Sequence, residues 1–290
     1  GVLVELIAYY RFSAWGFGSN MMIERGVPEF GRPDIVHNVE FSLHKRLAQA
    51  TFQIERDAKP WTKARLTKAK TLTLGVADLD TKLIEGDGLM RNAAVFSDKD
   101  GHCLILNIID LNGETLKVEE ATVDRRPRAI VECKRVGVED GMKKGPQSIE
   151  KAKQGAYVAR SVSSLQKVIQ ADGTRLGFLP QVGAGPTVGD HATLLADIVA
   201  GTTPLPDQFV MTIGVTSNHG NWFTAQSQNK EMLVLAAAYD WLLFLTDEGL
   251  MDFVDDCILK PGPDTEKIAD AFKASYVSTN GKKGKNRLTK

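Results

Sequence analysis

The chain has 290 residues, 43% of them hydrophobic and 25% charged, with 36 basic against 36 acidic side chains. This is an ordinary globular composition with enough chain for one large domain, and its balanced charge excludes a nucleic-acid role resting on overall basicity. Three cysteines, Cys103, Cys133 and Cys257, stand far apart without Cys-x-x-Cys or Cys/His spacing, so neither a zinc site nor a disulfide framework is expected and a reducing, cytoplasmic setting fits. No apolar run reaches the length of a membrane span and no leader is recognised, so no membrane partner is expected. The first residue is Gly1 rather than Met, which reads as a trimmed or partial N-terminus.

In chain order, Leu3, Leu6, Ile7 and Tyr10 have helical spacing until Gly16, Gly18 and Gly26 interrupt it. Residues 1–35 are expected to form a helix-and-loop elaboration, ending in the turn Gly31-Arg32-Pro33-Asp34. From Val36 the apolar residues Val36, Val39, Leu43, Leu47, Ala50 and Ile54 recur in steps of three and four, which predicts an amphipathic helix ending before Pro60. A basic stretch with one aromatic follows (Lys59, Trp61, Lys63, Arg65, Lys68, Lys70), suited either to solvent or to phosphate contact. The texture then turns to short apolar runs at 71–76, 89–96, 102–109, 115–123 and 129–136, broken by turn residues at 97–101, at Asn112-Gly113 and at Asp124-Arg125-Arg126-Pro127. This predicts an antiparallel meander.

Ser148 is a suitable N-cap for a helix through Ile149, Ala152, Ala156, Ala159, Val162, Leu165 and Ile169, ending near Gly173. Residues 173–206 read as loops around a short helix at 192–199, and the glycine-rich run 183–189 has neither the lysine of a phosphate loop nor dinucleotide spacing. A buried strand is expected at 209–215, then a polar loop, then a helix marked by Met232, Leu235, Ala236, Tyr239, Leu242 and Leu243 and a further helical segment at 251–258. The basic tail 280–290 is expected to be disordered. Together these predict a single α/β domain with its core at 36–258: a central mixed sheet with an antiparallel meander and flanking helices. The helix from Ser148 makes a crossover, so the strands at 129–136 and 209–215 should be parallel neighbours.

The strand at 129–136 carries the chemistry. Glu132 and Lys134 are one residue apart and so share a face. By itself such a pair is satisfied by a solvated salt bridge on an edge strand. Between a meander and a basic crossover helix, Glu132-x-Lys134 resembles the motif of the PD-(D/E)xK nuclease superfamily, which includes type II restriction endonucleases and Holliday-junction resolvases. The resemblance covers roughly residues 36–245 and implies a restriction-endonuclease-like fold. It also implies Mg²⁺ held by Glu132 and the carbonyl of Cys133, with Lys134 orienting the attacking water and stabilising developing charge.

The family has a second carboxylate before this strand. Pro33-Asp34 lies 98 residues before Glu132, ahead of the first helix, and is set aside. Four candidates remain. If the chain turns between Arg125 and Arg126, Glu119 faces Glu132 and Lys117 faces Lys134. Asp87 opens a strand, 45 residues before Glu132; Asp110 is 22 before it and Asp124 eight. Glu119 and Asp87 rank ahead of Asp110 and Asp124, and each also fits a solvated carboxylate. Glu40 falls on the first helix, where some relatives place a further acid near the metals and where a glutamate also suits the helix dipole.

The crossover helix carries Gln154 and Tyr157, which in many relatives face the active site. Lys143, Lys144 and Lys151, with Lys153, Arg160 and Lys167, offer a phosphate-contacting wall. Asn218, His219 and Asn221 beside Trp222 are candidates for reading base edges, or an ordinary surface loop. The resemblance thus implies a Mg²⁺-dependent, sequence-specific endonuclease of double-stranded DNA. Its expected state is a homodimer, assembled through apolar helices at 1–12 and 229–258. A repair or recombination nuclease of the same fold and a non-catalytic nucleic-acid-binding protein are the alternatives.

Overall fold

The structure, a computed structural model, describes residues 2–25, 30–32, 34–35, 39–55, 93–97, 103–110, 115–135, 146–181, 183–217, 230–263, 265–266 and 268–270. In chain order these form α1 (Val2–Phe12), β1 (Met21–Arg25), β2 (Val39–Glu55), β3 (Ala93–Ser97), β4 (Cys103–Asp110), β5 (Thr115–Arg135) and α2 (Pro146–Val162). There follow β6 (Gln166–Ile169), β7 (Arg175–Gln181), β8 (Ala184–Asp190), α3 (His191–Ala200), β9 (Met211–Ser217), α4 (Lys230–Ala238), β10 (Trp241–Leu245) and α5 (Asp247–Val254). The chain is α/β, with a mixed sheet and flanking helices. Among the described residues no helix is long and apolar enough to cross a membrane.

One domain was expected; the chain divides into two compact units. The first comprises Gly1–Ala8, Gly26–Leu43 and Arg126–Asp247, and the second Tyr9–Arg25, His44–Arg125 and Glu248–Lys290. The division falls inside β2 and β5, so each of these strands contributes one portion to each unit.

In the first unit the end of β5 pairs in parallel with β9, and β9 in parallel with β10. The crossover between β5 and β9 is therefore as expected, with Ile130 beside Thr212, Glu132 beside Gly214 and Lys134 beside Thr216. Paired residues share a face, so the five side chains of these pairs line one side of the ladder, with Gly214 leaving a gap. Helix α2 covers this side. Its Val158 and Val162 pack with Val39 and Ile130, while Ala156 and Ala159 meet Met232, Leu235, Ala238 and Tyr239 of the α4 segment. Small alanines bring α2 close to α4, and each large aliphatic side chain fully buried here contributes roughly 1.5–3 kcal/mol. The opposite stripe of α2, Lys153, Tyr157 and Arg160, is exposed.

The first unit also holds a small antiparallel sheet, β6-β7-β8. Leu179 from this sheet packs with Leu165, Leu194, Ile198 and Phe209. In the second unit, β3, β4 and the first part of β5 form the expected antiparallel meander, over a core of Met22, Ile105, Ala121 and Val123.

Several expectations are overturned. The helix expected from Val36 is the strand β2. Residues 39–44 are buried apart from the half-buried Glu40, and residues 45–51 are all exposed. A strand buried on both faces and then bare on both shows no alternation, so the three- and four-residue steps of its apolar residues mimic a helix. The turn expected at 124–127 is the middle of β5. Pro127, which lacks an N–H, falls between the stretch paired with β4 and the stretch paired with β9.

The helix expected to reach Gly173 stops at Val162, and Val168 and Ile169 lie on β6. The hairpin that follows is closed by Gln170 N donating to Thr174 O and by Gly173 at φ 87°. Residues 184–190, expected as loop, are β8; the stretch around Leu242 and Leu243, expected as helix, is β10. The strand expected at 71–76 and the tail at 280–290 lie outside the described residues.

Candidate active site

All parts of the site belong to the first unit. Glu132 and Lys134 leave the end of β5 on the α2-covered side, and Glu40 arrives from the start of β2. Lys134 Nζ donates to Glu132 Oε2 at 2.9 Å and to Glu40 Oε1 at 3.4 Å. The amide of Cys133 donates to Glu40 Oε2 at 2.9 Å. Side-chain exposure is 2% for Glu132, 19% for Glu40 and 25% for Lys134, so the trio opens to solvent from the Glu40 and Lys134 side. A solvated edge-strand salt bridge does not describe it.

Electrostatics follow from this packing. Burial raises the Glu132 carboxyl well above the ordinary glutamate range, the adjacent Glu40 carboxylate raises it further, and Lys134 opposes both. Burial alone lowers Lys134, but the charges of Glu132 and Glu40 outweigh it and leave the ammonium more basic than an ordinary lysine. The buried Cys133 thiol is pushed up by desolvation, then by Glu40, Glu5 and Glu132. It is held as a neutral core residue.

Among the described residues, three buried polar atoms on this side have no hydrogen-bond partner: Glu132 Oε1, Thr216 Oγ1 and the hydroxyl of Tyr239. Tyr239 reaches the site because two glycines make way. Its ring lies where a β-carbon on Gly214 would be 2.9 Å away, and its hydroxyl lies 2.8 Å from where one on Gly155 would stand. Lys134 Cε and Glu132 Cδ are 3.3 and 3.8 Å from that same Gly155 position. Burial and the charges of Glu132 and Glu40 raise the Tyr239 phenol well above its ordinary value, so it stays protonated.

The acid beside Glu132 is therefore Glu40, from a strand rather than a helix. Glu119 is not it. An unbroken strand cannot fold residue 119 back on residue 132; Glu119 pairs with Asn107 in the second unit and accepts from Gln49. Lys117 likewise does not face Lys134, pairing instead with Asp110 of β4. Asp110 and Asp124 both belong to the second unit, and the backbone carbonyl of Asp124 lies 2.8 Å from His44 Nδ1. Asp87 lies outside the described residues, as do Lys143, Lys144, Asn218, His219 and Asn221; Lys151 and Gln154 are placed on α2, without description of their side chains.

Tyr157 does not face the site. It is exposed and bonded to Asp34 and Arg32, with the Arg32 guanidinium 5.7 Å from its ring centre. The Asp34 carboxylate, set aside above, is held far below the usual range, first by Arg32 and then by Tyr157. The position on α2 that meets the site is Gly155. Sequence reasoning also passed over Tyr239 and Thr216. Tyr239 sits at a helical apolar spacing and reads as core, and only its hydroxyl distinguishes it there.

Two carboxylates against one ammonium leave the trio with one excess negative charge when both acids are ionised. Oxygen donors in this number suit Mg²⁺, which uses one or two carboxylates and keeps several waters. Glu132, Glu40 and the main-chain carbonyl of Cys133 would hold it. Among the described residues there is no cluster of three or more His, Cys, Asp or Glu side chains suited to a metal. No known family, no curated protein and no solved structure matches the chain.

Proposed function

We propose that this chain is a Mg²⁺-dependent endonuclease of double-stranded DNA, of the PD-(D/E)xK class and most like a type II restriction enzyme. One observation carries the reading: Glu40 and Glu132 come together on Lys134 while a buried oxygen of Glu132 is left unused. The resemblance to the nuclease motif asks for a second acid beside Glu132 and Lys134, and Glu40 answers that need. A bound Mg²⁺ would supply a polarised water and neutralise charge on the phosphate. Glu132 and Glu40 fix the anionic side of the site. Lys134, always charged in this setting, is the donor that faces developing negative charge. The exposed stripe of α2 with Lys153 and Arg160 suits contact with the phosphate backbone.

We further propose that the enzyme acts as a homodimer on a two-fold symmetric site. Of the two expected interface segments, α1 has Val4, Leu6, Ile7, Ala8 and Phe12 buried within the chain, which favours the segment at 229–258. Gel filtration with DNA tests the dimer, and a strict monomer on its target would refute it.

The test of activity is incubation with plasmid and phage DNA in Mg²⁺ or EDTA. Discrete fragments in Mg²⁺ alone are expected. Processive loss of ends or cutting confined to branched substrates would reassign the protein to repair or recombination. Binding without cleavage would mark a non-catalytic module.

A further inference from the structure

We propose that Tyr239 is a positioning residue for Glu132: its hydroxyl is held at the site to donate to the carboxylate oxygen that has no partner among the described residues. The inference rests on the metal-dependent reading of the site. The backbone that carries this side chain is held on both sides. Its amide donates to Leu235 O at 3.1 Å, and its carbonyl accepts from Lys167 Nζ at 2.6 Å. The next residue, Asp240, is buried and accepts from Thr212 N and Ser163 Oγ at 2.8 Å and from Thr212 Oγ1 at 2.9 Å. The ring fills the space left by Gly214 on β9, and the hydroxyl fills the space left by Gly155 on α2.

So much constraint ends in a hydroxyl that has no partner among the described residues, in a residue 1% exposed. A buried hydroxyl without a partner costs roughly 1–3 kcal/mol, and phenylalanine would fill the same volume without that cost. Glu132 Oε1 likewise has no partner among the described residues, and the Tyr239 hydroxyl and Glu132 Cδ lie 2.8 and 3.8 Å from the β-carbon position of Gly155. A buried donor and a buried carboxyl border the space that a side chain at Gly155 would take. Core packing needs the ring; only the site has a use for the oxygen.

The test is Tyr239→Phe in the full chain, with four readouts. Groups that orient metal ligands are worth roughly 10- to 100-fold in metal affinity or activity. We expect Mn²⁺ affinity and kcat for DNA cleavage to fall on that scale, KM for DNA to stay within twofold, and Tm to hold or rise. Unchanged Mn²⁺ affinity and kcat would overturn the inference and leave the nuclease reading intact. Mn²⁺ binding by wild type that weakens in Tyr239→Phe, with no cleavage by either, would overturn the nuclease reading and support the role of Tyr239. If Tyr239→Phe unfolds, Tyr239→Leu and Glu132→Gln are combined in a cycle read by Mn²⁺ affinity. A tyrosine acting through Glu132 adds no further loss in the Glu132→Gln background, and fully additive losses would overturn the proposal.

Discussion

Glu40 and Lys134 stand 94 residues apart in the chain and 3.4 Å apart in the fold. With Cys133 N also donating to Glu40, the start of β2 is tied to the end of β5 at the charged pair. Glu40→Ala should therefore lower DNA cleavage by at least about 100-fold, the scale of losing a group that acts on transition-state charge, while DNA affinity changes little. Glu119→Ala, at the position expected to face Glu132, should cleave within about twofold of wild type. Single-turnover cleavage and filter binding on the two variants check this, and the reverse ranking would place the second acid elsewhere.

A β-carbon on Gly155 would stand 2.8 Å from the Tyr239 hydroxyl and 3.3 Å from Lys134 Cε. Gly155→Ala should destabilise the fold by about 1–3 kcal/mol, the usual cost of overpacking, although alanine is the better helix former at an unobstructed position. Adding Tyr239→Phe removes the nearest atom and should recover part of the loss. Urea unfolding of the single and double variants measures it; a stabilised Gly155→Ala would mean that the site is less tightly closed.

Asp240 and His191 give stability opposite dependences on pH. Burial raises Asp240 to about 6, against hydrogen bonds from Thr212 and Ser163 that favour its charged form. A carboxyl raised in the fold binds more protons than in the unfolded chain. Its contribution is full below about pH 4 and is lost as pH rises through 6. Burial, with Lys167 and Arg175 nearby, lowers His191 to about 4. Its contribution is full above about pH 6.5 and is lost as pH falls through 4. Relative to wild type, Asp240→Asn should therefore lose stability at pH 4 more than at pH 6.5, and His191→Gln should lose less at pH 4. Unfolding curves at the two values check both signs.

What was legible in the sequence divides along physical lines. Glu132 and Lys134 were readable because a period of two puts them on one face whatever else the strand does. Their parallel neighbour at β9 was readable because a helix-length crossover stands between the two apolar runs. Glu40 was misplaced because β2 is buried on both faces around it and bare beyond, leaving no alternation to betray a strand. Pro127 and its charged neighbours were taken for a turn, when β5 only changes partners there. That error produced Glu119 as the second acid. Tyr239 was lost in its own periodicity; its role depends on Gly155 and Gly214, 84 and 25 residues before it, and no local pattern records that.

Lys134→Ala distinguishes a catalytic site of Glu132, Glu40 and Lys134 from a structural salt bridge. Mg²⁺-dependent cleavage of duplex DNA should fall by orders of magnitude while the variant still binds the same DNA. Cleavage undiminished in Lys134→Ala, or its absence from folded wild type with Mg²⁺, would contradict the account.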